Sequence, residues 1–151
     1  MARAADDAIG NVTAALDAAF PGEDVVMILS GDNGGLPAAA GNQCPTTNDP
    51  RCLRGQKGTF FEGGVRNNAL LCSKTLIPSH RYGTTHSKGL VHVMDWHATL
   101  RDLAGAKDKA TKPIDGIGVW DAIVSDTASP RTEFLVHLDP CDGRQTCKGA
   151  S

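Results

Sequence analysis

The chain has 151 residues, one domain's worth, and its 15 Lys and Arg against 17 Asp and Glu leave a formal net charge of −2. That balance offers no basic footprint for nucleic acid and no polybasic membrane patch, and no apolar run approaches the roughly 18 residues of a transmembrane helix. Apolar residues at 40% and charged residues at 21% fit a globular fold, and 17 Gly with 8 Pro imply generous turns.

The opening MARAADDAIG lacks the apolar core of a signal peptide. Ile9, Val12, Leu16 and Phe20 then recur at spacings of three and four, an apolar helical stripe that Pro21-Gly22 ends. Val25 to Leu29 is unbroken and apolar, which predicts a strand buried on both faces of a parallel sheet. A helix delivered into such a strand is half of a βαβ unit, so the fold class is α/β. From Gly31 to about Gly58 the chain has little periodicity, and a loop of that length is usually functional. A second strand is predicted over Asn68 to Cys72. Asp95 is placed to cap a helix running to Leu103, with Leu100 and Leu103 facing inward and Gly105 as the stop. The turn at Asp115-Gly116 leads to a short helix around Val119 to Val124, and Trp96 and Trp120 are expected as core anchors. Beyond Pro140 the chain is polar and patternless.

Two loops carry candidate chemistry. Ser30-Gly31-Asp32-Asn33-Gly34-Gly35 follows the first strand, and open parallel sheets bind ligands beyond the carboxyl ends of their strands. Asp32 and Asn33 offer adjacent hard oxygens suited to Ca²⁺ or Mg²⁺, although Asp-Asn-Gly-Gly is equally good turn chemistry. In Leu53 to Arg66, the cations Arg54, Lys57 and Arg66 stand among glycines and could meet an anionic substrate group or simply be solvated. Glu62 could pair with Arg66 and hold that loop. Histidines 80, 86, 92, 97 and 137 have no metal-site spacing. Cys44 with Cys52 and Cys141 with Cys147 bracket short polar loops, while Cys72 sits in an apolar stretch. This reads as two local disulfides and one buried thiol from an oxidising compartment, or as five reduced thiols. Asn11-Val12-Thr13 is a glycosylation sequon.

The motifs DDAIGNVTAAL, VVMILSGDNGG, LRGQKGTFFEGGVR, HVMDWHATLRDLAG, KPIDGIGVW and SPRTEFL, in this order, resemble the sulfatase family, most closely its arylsulfatase B-like (N-acetylgalactosamine-4-sulfatase) branch. The resemblance runs from about Asp6 to Pro140. It implies a partial alkaline-phosphatase-like α/β sandwich with a mostly parallel sheet, truncated on its N-terminal side. Residues 1–140 would be the C-terminal part of a catalytic domain and 141–151 a polar tail. It also implies sulfate-ester hydrolysis of an aryl or glycan substrate with one Ca²⁺, in a lysosomal or secreted parent. Asp32 and Asn33 would be the second half of the metal site, Lys57 the sulfate-binding lysine, and Asn11 a glycosylated residue.

The departures are chemical. The family nucleophile is a formylglycine made from C/S-x-P-x-R, and this sequence has no such motif; Ser129-Pro130-Arg131 lacks the intervening residue. The other metal aspartates and the catalytic histidines belong to a family region upstream of the match, and Asp6-Asp7 lies in the first helix. Two oxygen side chains do not fill the 6–8 ligands of Ca²⁺. The expectation is a sulfatase fragment that is inactive alone. Rivals are a phosphatase or phosphodiesterase of the same superfamily, and a non-catalytic secreted domain that binds sulfated glycans.

Overall fold

The structure is a computed structural model and describes residues 2–35, 53–106 and 112–137. It divides into two compact units: Met1–Ser30 with Asn68–Tyr82, and Gly31–Asn67 with Gly83–Ser151.

In the first unit, α1 spans Ala2–Ala19. Ile9, Thr13 and Leu16, one helical face at spacings of four and three, are its half-buried residues. The helix stops where expected, with Phe20 N–H donating to Leu16 O at 2.9 Å and Gly22 at φ +82 carrying the chain out of helical geometry. Strand β1 is Met27–Ser30 and β2 is Ala69–Cys72. They pair antiparallel, Met27 opposite Cys72 and Ser30 opposite Ala69.

This corrects the expected sheet. Among the described residues the only sheet has two strands, and its single pairing is antiparallel rather than parallel. Val25 to Ile28 are half-buried and Leu29 is 41% exposed, because a two-stranded ribbon cannot cover both faces of an apolar run. Cys72 is likewise an exposed free thiol rather than a buried one. Beyond β2, Ser73 is buried, donating to Asp24 Oδ1 at 3.0 Å and accepting Leu76 N–H at 3.1 Å.

The second unit holds α2 (Glu62–Val65), α3 (Val93–Leu103) and α4 (Trp120–Ser125). Helix α3 is capped by His92, whose Nδ1 accepts Met94 N–H at 3.3 Å. Asp95 is therefore not the cap: it stands three residues further on and accepts His92 N–H at 2.8 Å. At the other end, Ala106 N–H donates to Arg101 O at 3.0 Å and Gly105 N–H to Asp102 O at 3.1 Å, a Schellman stop that needs the φ +66 of Gly105.

The inward face of α3 is Asp95, Ala98 and Thr99, all buried. Leu100 is 43% exposed and Leu103 only half-buried, so the two leucines are not the inward face. Trp96 and Trp120 are also half-buried; among the described residues Ala98, Val119, at 0% exposure, and Ala122 are the buried apolar ones. The reason is polar. Asp95 Oδ1 accepts Ile117 N–H at 2.9 Å, and Thr99 Oγ1 accepts Val119 N–H at 3.0 Å. These two side chains, one turn apart, thus hold the 117–119 backbone against the helix, and Gly116 lets it approach because a Cβ there would strike Met94 O.

Arg131 closes the arrangement. Its Nε donates to Asp95 Oδ2 at 2.7 Å and its Nη2 to Asp95 Oδ1 at 2.6 Å, with a further bond from Nη2 to Asp115 O at 2.8 Å. Burial pushes the Asp95 carboxyl up, but the Arg131 hydrogen bonds, the Ile117 and His92 amides and the Arg131 charge together hold it below its ordinary value. The bond to Asp95 raises Arg131 in turn, against its burial.

Candidate functional site

Asp32 and Asn33 lie in the loop that leaves β1, Asp32 exposed and Asn33 half-buried. The backbone joins this loop to the one carrying Lys57. Gly34 N–H donates to Gly64 O at 2.9 Å, and Lys57 N–H donates to Gly35 O at 2.7 Å. Glycine is required at the junction, because a Cβ on Gly34 would strike the Gly63 carbonyl and one on Gly64 the Thr59 carbonyl. The structure therefore brings the two sequence-predicted segments together through main-chain contacts.

The Lys57 loop is a tight turn. Thr59 Oγ1 accepts Gln56 N–H at 3.0 Å and donates to Gln56 O at 2.8 Å, and Gly55 and Gly58 take φ +81 and +89. Gly63 N–H reaches back to Arg54 O at 2.7 Å, closing the loop at its base.

Of the three cations in this segment, two are engaged. The Arg54 guanidinium lies 3.9 Å from the Phe61 ring centroid, a cation–π contact. Arg66 pairs with Glu62 at 3.4 Å, the pairing that the sequence suggested, with both side chains more than half exposed. Lys57 is exposed, and among the described residues its ammonium has no partner. A compact cation on a fixed backbone, with no counter-charge among the described residues, can meet an oxyanion of sulfate or phosphate from solution.

For a hard cation the donors fit in kind and fall short in number. Asp32 and Asn33 supply adjacent carboxylate and amide oxygens, and the Asn33 amide donates to Asp32 Oδ1. Among the described residues no three His, Cys, Asp or Glu side chains cluster as a metal site would need. Further ligands would have to come from outside these residues.

Asn11 is exposed on α1. Its sequon partner Thr13 donates to Ile9 O at 2.9 Å. Cys44, Cys52, Cys141 and Cys147 lie outside the described residues, as does the 141–151 tail. The Asp95–Arg131 pair went unassigned in the sequence, although both residues stand inside motifs quoted above. The available signal was an acid and a base in two separate family-like motifs. No helix among the described residues is long and apolar enough to cross a membrane.

Comparison with known proteins gives a consistent result. A family model described as Sulfatase matches residues 1–106. Mouse arylsulfatase J is 38% identical over 135 residues, which cover 89% of this chain and 21% of that protein. A sulfatase of Formosa agariphila is 34% identical over 120 residues, covering 77% of this chain and 20% of that protein. Dog N-acetylgalactosamine-6-sulfatase is 28% identical over 137 residues, covering 91% and 25% respectively. The chain thus spans about a fifth to a quarter of the length of these relatives.

Proposed function

The chain belongs to the sulfatase family, and we propose that it contributes part of the active site of a sulfuric ester hydrolase acting on aryl or glycan sulfates. The observation that carries this reading is the union of the Asp32–Asn33 loop with the Lys57 loop through Gly34, Gly35 and Gly64. It puts two hard oxygen ligands and one ammonium without a partner among the described residues on adjoining backbone.

In this reading Lys57 binds an oxygen of the sulfate group and offsets its negative charge. Asp32 and Asn33 hold part of the coordination shell of one Ca²⁺, which when bound polarises a sulfate oxygen as a Lewis acid. The glycines let the two loops pack closely. The sequence has no C/S-x-P-x-R motif, so the nucleophile is not among these residues and the chain alone does not turn over. With two donors the chain holds Ca²⁺ weakly; calorimetry showing submicromolar affinity would contradict that. The parent's setting is lysosomal or extracellular, with a glycan on Asn11 and local disulfides Cys44–Cys52 and Cys141–Cys147. A non-reducing peptide map tests the disulfides.

The test of the site is Lys57→Ala in an enzyme that joins this chain to an upstream region carrying the C/S-x-P-x-R motif, made in a host that forms formylglycine. Turnover of an aryl sulfate is expected to fall about 10²–10³-fold, the scale for loss of one charge-stabilising donor, with thermal stability unchanged. Full activity in that variant would remove Lys57 from the site.

A further inference from the structure

Next to the Lys57 turn, the rings of Phe60 and His137 are stacked, with centroids 4.3 Å apart and planes inclined by 15°. The stack buries little: Phe60 keeps 50% of its surface exposed with one ring face taken, and His137 is exposed as well. Its neighbour Phe61 is different, half-buried and already covered by the Arg54 guanidinium. Phe60 is therefore the ring of this loop that still offers aromatic surface to water. It lies three residues beyond Lys57, so the two Cα atoms are at most about 10 Å apart even with the chain extended, and the Gln56–Thr59 bonds bend it. A lysine side chain and one ring-bearing ester span such a distance together.

We propose that the Phe60–His137 stack is a platform for the ring of the sulfate ester whose sulfate group Lys57 binds. The proposal rests on the reading of Lys57 given above. Stacking suits the chemistry, because an aromatic face accepts either another aromatic ring or the C–H-rich face of a hexose. It would give this end of the site a preference for cyclic esters over short alkyl ones, a selectivity that a point charge at Lys57 cannot supply.

The test is binding to the 151-residue chain, followed by NMR titration with methyl sulfate, phenyl sulfate and a hexose 6-sulfate. At least one ring ester is expected to bind about three- to tenfold more tightly than methyl sulfate, the range that a ring pair supplies. Whichever ring shows that margin identifies the source, aryl or sugar. Phe60→Leu should abolish the margin and leave methyl sulfate binding unchanged, Phe60→Tyr should keep it, and His137→Ala, which leaves Phe60 in place, should reduce it. A wild-type chain with no margin, or a Phe60→Leu margin equal to wild type, overturns the platform. Lys57→Ala separates the two readings: it should weaken all three esters. A Phe60-dependent margin with no Lys57 dependence would overturn the sulfate role of Lys57 and leave the platform standing. Lys57 dependence without a margin does the reverse, and failure of every ester to bind removes both.

Discussion

Around Asp95, both carboxylate oxygens have donors and the side chain is shut away from water; around Lys57, the ammonium is exposed and has no partner among the described residues. The two constellations lie in the same unit and use the same kinds of charged group. In the first, the side chains do the fastening and tie α3, the 115–119 segment and Arg131 together. In the second, backbone groups, glycines and the Thr59 hydroxyl do most of the fastening, which leaves the Lys57 side chain available. A buried, fully bonded ion pair marks architecture, whereas an exposed cation on a braced loop is where a ligand can be met.

Breaking the first region should have the largest effect. Asp95→Asn leaves the buried Arg131 without its counter-charge, and unfolding in urea should show a loss of about 3–5 kcal/mol. Arg131→Met should cost a similar amount, and the double variant less than the sum, because the second change removes a charge already stranded by the first. The pH dependence follows from the lowered Asp95 carboxyl. Its contribution is complete above the ordinary unfolded value of about 3.9 and fades as pH falls through the lower folded value. Acid titration of the melting temperature should therefore show a drop below about pH 4 that Asp95→Asn lacks. A wild-type curve parallel to that of Asp95→Asn would mean that the pair contributes nothing.

In the second region the effects should split by atom type. Gly64→Ala forces a Cβ against the Thr59 and Gln56 carbonyls and should destabilise by about 1–3 kcal/mol, as overpacking does, while also displacing the Lys57 turn. Lys57→Ala should leave stability within about 0.5 kcal/mol of wild type, because its side chain fastens nothing. The smallest change expected is for Glu62→Gln, which breaks an exposed pair one turn apart with Arg66 and should cost at most about 0.5 kcal/mol. A large loss there would mean that side chains, too, brace the loop.

Much of the local structure was legible because its determinants are local. Pro21-Gly22 ends α1, Gly105 stops α3, and the short β2 falls within the apolar stretch ending at Cys72. Strand pairing was not legible. Five apolar residues from Val25 to Leu29 specify an apolar setting but neither the direction of a partner nor how many faces will be covered. Asp95 looked like a helix cap because acid near a helix start is favourable there by itself. Its actual partner is 36 residues away and visible only once the chain is folded. Composition also left Arg54, Lys57 and Arg66 equivalent, and family resemblance singled out Lys57. A ring and a carboxylate that engage the two arginines are what distinguish it physically.

The central claim is that this chain carries charge-binding groups of a sulfatase site without its nucleophile. Its most direct test is turnover of an aryl sulfate by the purified 151-residue chain with Ca²⁺ present, alongside the same chain joined to an upstream C/S-x-P-x-R region bearing formylglycine. The account predicts no turnover above background from the chain alone and activity from the joined protein. Ca²⁺-dependent hydrolysis by the 151-residue chain on its own would contradict it.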